Sequence, residues 1–300
     1  MSRIDLTEAN GFIPEEDSSR VIQATVANSV VEAFARKEQM SSRTKGVPRF
    51  IADAPEIVAE GDSIPEAAAT LDEILLTAKK YAKIFHISEE DVNDSLVDVL
   101  NSYKVEWASR WARKFDNATL GVTVAVDGTD TAPFTSVYRA VSVSASNQLI
   151  QTEGALSFAD INDALALVEQ GSYFDAANTV FIAHPKMLGH LRGMVDGTGQ
   201  LVLPNPIAAT PGSLFGYPLV VSYGAATSDA ASANPTGNPL LIVGNRQMMI
   251  NGVRSNVESA VSRDAQFNTD GVQLKVRIRR GFAVADAEAY AIVEKTSEGE

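Results

Sequence analysis

Apolar residues in the first third of the chain form two regular patterns separated by a stretch that has none. Val21, Ile22, Val26, Val30, Ala33 and Phe34 recur at three- and four-residue steps, which predicts an amphipathic helix over residues 19–37 behind a polar arm of residues 1–18. Across residues 40–65 the pattern breaks around Gly46, Pro48, Pro55, Gly61 and Pro65, and no period holds for two turns. Excursions of that length are uncommon inside a compact domain, so this one is either disordered or held by something outside its own subunit. Residues 71–87 read two ways: Ile74, Ala78, Ala82 and Phe85 fit a helix, while Ile74, Leu76, Ala78, Ala82 and Ile84 fit one side of a strand.

The strongest predicted element follows. Ser88 with Asp91 resembles a capping box, Glu89 and Glu90 suit the positive end of a helix dipole, and Arg110, Arg113 and Lys114 suit the negative end. Between them Val92, Leu96, Val99, Leu100, Tyr103, Trp107, Trp111 and Phe115 make one stripe, with Gly121 as a stop. A helix of roughly 30 residues would run about 45 Å and span a subunit rather than fill a compact core. Beyond it, residues 122–126 and 137–143 are β-rich, and a capped helix runs from Ser157 and Asp160 to Gln170, closed by Gly171. Residues 179–183 read as a buried strand, and Pro185 opens a short helix to about Met194. Residues 193–218 read as loops around short strands, and residues 224–239 as a solvent-exposed loop. Val272, Leu274, Val276 and Ile278 alternate with Gln273, Lys275, Arg277 and Arg279, a strand with one apolar and one basic face.

Composition narrows the function classes. With 300 residues, 45% of them hydrophobic, about two folded domains with a sizeable core are expected. No run of about 18 apolar residues occurs and the N-terminus lacks a basic-then-apolar signal segment, so neither membrane spanning nor signal-peptide secretion is expected. There is no cysteine, which excludes disulfides, thiolate metal sites and thiol nucleophiles. A net charge of -13 disfavours sequence-specific nucleic-acid binding.

Candidate chemistry is sparse. His86, His184 and His190 show no metal-ligand spacing and read as structural or surface residues. Gly197-Thr198-Gly199 lacks the third glycine of a dinucleotide loop, and neither a phosphate-binding loop nor a nucleophile elbow is present. Glu15-Glu16 and Glu89-Glu90 suit helix starts, and Trp107 and Trp111, at helical spacing, suit a core or an interface. No catalytic, metal or cofactor residues are assigned.

Several short patterns nevertheless stand in a suggestive order. Ile13-Pro14-Glu15, Ser29-Val30-Val31, Arg36 and Met40 come first, then Ile57-Val58-Ala59-Glu60-Gly61, where Ile57 stands in place of a usual tryptophan. Ser88-Glu89-Glu90 and Phe115-Asp116 with Ala118 and Gly121 bracket the long helix. Val180-Phe181-Ile182-Ala183-His184-Pro185, Gly216-Tyr217-Pro218-Leu219, Val243-Gly244-Asn245 and Arg277-Ile278-Arg279-Arg280-Gly281-Phe282 follow. Almost end to end, this order resembles the major capsid proteins of tailed bacteriophages, whose fold is the Hong Kong 97 type.

That resemblance implies an α+β, Hong Kong 97-like fold. It comprises an N-terminal arm (residues 1–39), an extended β loop (40–84) lying over a neighbouring subunit, a peripheral domain (85–136 and 252–300) with a spine helix at 88–118, and an axial domain (137–251). It tips residues 71–87 toward strand. It implies a non-enzymatic shell protein of the virion, assembled in the host cytoplasm as pentamers and hexamers of an icosahedral head around double-stranded DNA. Portal, scaffolding and decoration proteins and non-specific contact with packaged DNA are the further partners it implies, with no membrane. With only some dozen residues before the arm pattern, no separate scaffold segment is expected. A cellular compartment shell of the encapsulin type shares the fold and is the alternative; an ordinary α/β enzyme is disfavoured by the missing constellations.

Charge order along the loop marks candidate inter-subunit contacts. Residues 36–50 carry Arg36, Lys37, Arg43, Lys45 and Arg49 against Glu38, whereas residues 51–78 carry acids and no base. Glu56, Glu60, Asp62 and Glu66 are therefore expected to pair across subunits with Lys275, Arg277, Arg279 and Arg280. Lys45 and Asn268 fit no cross-linking pattern, so noncovalent shells are expected.

Overall fold

The computed structural model describes residues 28–51, 57–58, 63, 70–94, 98–123, 133–154, 156–195, 199–201, 212–227, 237–266 and 269–296. In chain order these form α1 (Val30–Phe34), β1 (Arg36–Gln39), β2 (Thr44–Ile51), β3 (Thr70–Thr77), β4 (Lys79–Ser88), α2 (Glu89–Asp94), α3 (Val99–Leu120) and α4 (Val137–Ser144). There follow β5 (Leu149–Thr152), α5 (Phe158–Glu169), β6 (Thr179–Ala183), α6 (Pro185–Arg192), β7 (Ser213–Leu214), β8 (Tyr217–Val221), β9 (Leu240–Asn245), β10 (Met249–Gln266), β11 (Gly271–Val284) and β12 (Tyr290–Lys295).

Three strands with hardly a charge among them, β6, β9 and β12, are neighbours in a six-stranded sheet of order β5-β12-β9-β6-β8-β7. Alternation sends their side chains into two cores. Val180, Ile182, Leu240, Ile242, Tyr290 and Ile292 face one side, and Phe181, Ala183, Leu241, Val243, Ala291 and Val293 the other. On the second side lie Ile161, Leu165 and Val168 of α5 with Met187 and Leu191 of α6. Both helices start where expected: Ser157 and Asp160 form a reciprocal capping box, and Pro185 is the first residue of α6. On the first side Trp111 and Phe115 of α3, Val137 and Val141 of α4, and Ile278 and Phe282 of β11 join one cluster, so α3 is wedged against both sheets. Each such buried aliphatic or aromatic side chain contributes about 1.5–3 kcal/mol.

The four-stranded sheet has the order β1-β10-β11-β4, and β2 pairs with β3 as a separate two-stranded ribbon. Val272, Leu274, Val276 and Ile278 are buried while the residues between them point outward, as the alternation predicts. Antiparallel pairing puts Tyr81 beside Ile278 and Phe85 beside Leu274. On that inner face Tyr81 stands edge-on to Trp111 and Phe115, and Phe85 leans on Tyr103.

Several expectations are corrected. Residues 71–87 are strand, but split between β3 and β4 at Ala78, whose amide turns to donate to the carbonyl of Arg43. The helix expected over 19–37 ends at Phe34; Arg36–Gln39 instead pairs in parallel with β10, and residues 19–27 lie outside the described residues. The long helix is not continuous: α3 starts afresh at Val99, with the non-helical Asp98 accepting from the Asn101 amide through its side chain, and residues 95–97, between it and α2, lie outside the described residues. Asn93, Asp94, Ser95 and Asp98 are all residues whose side chains compete with helical backbone, so the apolar stripe ran through a stop. Ser88 ends β4, and its hydroxyl accepts from the Glu90 amide at 3.3 Å in the first turn of α2; the Asp91 side chain, the other half of the expected box, lies outside the described residues. Residues 137–143 are helix, not strand, because Ser136 caps the Arg139 amide and Val137, Tyr138 and Val141 present a helical face to the core. Residues 224–227 are buried rather than exposed, pressed against the end of α3, and residues 228–236 lie outside the described residues. In the strand pairing β1 and β4 belong to the four-stranded sheet, and β12 lies between β5 and β9.

Candidate subunit interface

The β2–β3 ribbon lies outside the two larger cores and is tied to the rest of the chain through Arg49, which donates to the Ala285 carbonyl at 2.9 Å. Its root is a small cluster of Met40, Val47, Leu76, Ala78 and Ile250, while Leu75, one residue out of phase with Leu76, is 62% exposed. Antiparallel register sets Arg49 opposite Asp72, so one base of the outgoing strand meets one acid of the return strand within the chain, while Lys45, opposite Leu76, pairs with Glu38 of β1. Arg49 donates to Asp72 at 2.5 Å and to Asp286 at 2.8 Å, and Lys45 donates to Glu38 at 2.9 Å. The hydrogen bond from Lys45, with Arg36 beside it, holds the Glu38 carboxyl below its usual range. Arg43 stands at the ribbon root and is exposed. Beyond the paired strands Ile57 is completely exposed, at 103%. Glu56, Glu60, Asp62, Glu66 and Asn268 lie outside the described residues.

Of the expected acceptors, Lys275, Arg277 and Arg279 lie on the outward face of β11. Arg277 is half-exposed and donates to Glu258 of β10 at 2.7 Å, so its partner within the chain comes from the neighbouring strand. Arg280 does not belong with them. Two steps from Ile278 and two from Phe282, it shares their inward phase; its side chain is 5% exposed, paired with Glu32 of α1 and set over the Trp111 ring. The alternation that located the apolar face also assigned Arg280 to it, and that signal was available in the sequence.

At the end of α3 is a junction the sequence left unassigned. Asp116 is 3% exposed; its carboxylate accepts from Ser29 Oγ at 2.5 Å, the Val30 amide at 2.9 Å, the Val31 amide at 3.3 Å and Ser222 Oγ at 2.7 Å. Burial pushes its pKa up, and the four donors oppose that. One carboxyl thus fastens the start of α1 and the turn after β8 to α3. Close approach makes glycine necessary nearby: a Cβ at Gly224 would lie 2.4 Å from the Asn117 amide nitrogen, and one at Gly121 would lie 2.1 Å from the Ala226 carbonyl oxygen. Gly121 therefore ends α3 in right-handed conformation, φ -118°, for want of space rather than to reach a left-handed cap.

Beside the edge strand β4 runs a groove that sequence reading also missed. Lys79 and Lys83, in phase with Tyr81 on β4, form one wall, Arg110 and Lys114 of α3 the other, and Tyr81, Trp107 and Trp111 the floor, enclosing about 360 Å³. It continues past Lys83 and Lys114 into a second hollow of about 570 Å³ lined by Phe85 and Tyr103. The charges of α3 read as helix-dipole partners in the sequence; that β4 would lie alongside them required knowing the sheet order. Among the described residues no cluster of metal-binding side chains occurs, and no helix is long and apolar enough to cross a membrane.

Residues 9–295 match the phage capsid family. The chain is 23% identical over 222 residues to the probable major capsid protein gp17 of Mycobacterium phage D29, covering 64% of this chain and 69% of that protein. It is 27% identical over 160 residues to the probable major capsid protein gp17 of Mycobacterium phage L5, covering 52% and 46%. Among solved structures, one described as "Capsid of native GTA particle computed with C5 symmetry" is similar with a TM-score of 0.75 at 18% identity, over 99% of this chain and 100% of that one. A chain from Mycobacterium phage Bobi gives a TM-score of 0.74 at 17% identity over 100% of both.

Proposed function

The chain belongs to the phage capsid family, and from that premise we propose that it is the major shell subunit, assembling as pentamers and hexamers into an icosahedral head around double-stranded DNA. The observation that carries this is the match of residues 9–295 to the family, beside a charged two-stranded ribbon that leaves Leu75 62% exposed and an Ile57 that is fully exposed in the single chain. In the shell these two apolar side chains lie against a neighbouring subunit. Heterologous contacts of this kind close into rings when repeated around a symmetry axis. In this assignment residues 1–39 begin as the arm, the ribbon is the extended loop, α3 and the four-stranded sheet are the peripheral domain, and the six-stranded sheet is the axial domain.

The role is structural, without turnover. The outward face with Lys275, Arg277 and Arg279 receives the acidic residues Glu56, Glu60, Asp62 or Glu66 of a neighbour, and the contacts are noncovalent. A cellular compartment shell is not favoured, because the family matched and both named relatives are phage capsid proteins. Electron microscopy of the purified chain tests the assignment. Closed shells or capsomers with five- and six-fold rings are expected, whereas a chain that stays monomeric under every condition that assembles other capsid proteins would refute it.

A further inference from the structure

We propose that the groove between β4 and α3 is a binding site for the phosphodiester backbone of a nucleic-acid duplex. The chain carries a net charge of -13, yet Lys79, Lys83, Arg110 and Lys114 converge on this one hollow. Among the described residues Glu106 is the acid that lines it, in the continuation of the groove, and it is taken by Arg110. The three lysines have no ion pair among the described residues. Like charges gathered in excess of their counter-charges repel one another, and an anionic ligand relieves that repulsion.

Charge density selects the ligand. Lys79 to Lys83 span about 13 Å of strand, and Arg110 and Lys114 are one helical turn, about 6 Å, apart. Some 13 Å of duplex carries about eight phosphate charges, enough to meet all four cations together. The chain's own acidic stretch, with Glu56, Glu60, Asp62 and Glu66, has four carboxylates over an extended length of about 33 Å, so one or two would fall within the same span. The rings of the floor speak for backbone contact rather than base stacking. Trp111 is stacked on Phe115 and edge-on to Tyr81, and Tyr103 is taken by Phe85. Lysines on a flexible stem suit repeated charges met without register. Recognition is therefore independent of sequence, in keeping with a chain that shows no base-reading element.

This inference supplies a site for the ligand of the proposed shell but does not need the shell to be tested. The chain has two tryptophans, Trp107 and Trp111, and both line the groove, so intrinsic fluorescence reports on it directly. Titrating the unassembled full-length chain with a duplex of about 20 base pairs should change that fluorescence. Log K should fall with log salt at a slope of about -4, making binding weaker on the order of 10²-fold between about 50 and about 200 mM. The double variant Lys83→Gln with Lys114→Gln should flatten the slope by about 2, while Lys186→Gln, on α6, should leave it unchanged. Normal shells from the double variant, with weakened DNA binding, would separate this site from the assembly proposal. An unchanged tryptophan signal, or a slope that ignores Lys83 and Lys114, overturns the inference. So does a synthetic peptide of residues 51–66 that competes better than the duplex, which would give the groove to a second copy of the chain.

Discussion

Strands β9 and β4 are the same kind of element put to opposite uses. All six residues of β9 are buried, whereas in β4 only Ile87 is. The difference lies in position as much as in composition: β9 has strands on both sides and a core on both faces, while β4 is an edge strand with lysines along it. Charged side chains on an edge discourage uncontrolled pairing. The six-stranded sheet is buried on both faces, whereas the ribbon and β4 leave groups such as Leu75 and Ile84 exposed in the single chain.

Substitutions should separate the two regions, and the largest effect belongs to the core. Phe115→Ala removes a fully buried ring joining both sheets and should cost about 3–5 kcal/mol in urea unfolding of the unassembled chain. Leu75→Ala, on the exposed side of the ribbon, should change that unfolding by no more than about 0.5 kcal/mol and yet weaken assembly measured by light scattering. Next comes Asp116→Ala, which strands the buried amide of Val30 and two serine hydroxyls and should cost about 3 kcal/mol; a loss below about 1 kcal/mol would mean that water replaces the carboxylate.

A smaller effect is expected on the outer face, where exposed ion pairs contribute about 0.2–1 kcal/mol each. Arg277→Glu should hinder shell formation and raising salt from about 0.1 to about 1 M should weaken it, because the screening length falls from about 10 to about 3 Å. Since Arg277 already pairs with Glu258, the control is Glu258→Gln, which should leave assembly intact. The smallest effect is a titration. Burial, with Lys186 adding to it, lowers the pKa of His184 from 6.5 to about 4. As pH falls through that window the unfolded chain takes up the proton first, so stability should decline from about pH 6.5 toward pH 4, and His184→Gln should flatten the decline.

What the sequence disclosed follows the same division. Where burial is regular the pattern was readable: the alternation of β11, the uncharged run of β6, the Ser157 box and Pro185 all sit where residue order put them. It misled where tertiary packing overrides local preference. Val137, Val141 and Val143 favour strand, but Val137 and Val141 pack a helical face into the core. Arg280 was grouped with its charged neighbours although its parity placed it inward, and the Asp116 junction joins residues 86 and 106 positions apart, which no local pattern reports. The groove was invisible for the same reason, since its two walls come from a strand and a helix brought together only by sheet order.

Hydrogen exchange on the unassembled and assembled chain tests most directly whether the ribbon and β4 are completed by other subunits. Amides of Leu240–Asn245 should be strongly protected in both states. Those of Thr44–Ile51 and Thr70–Thr77 should exchange quickly in the free chain and slow by orders of magnitude on assembly. A ribbon as protected as β9 before assembly, or one unchanged by it, would contradict the account.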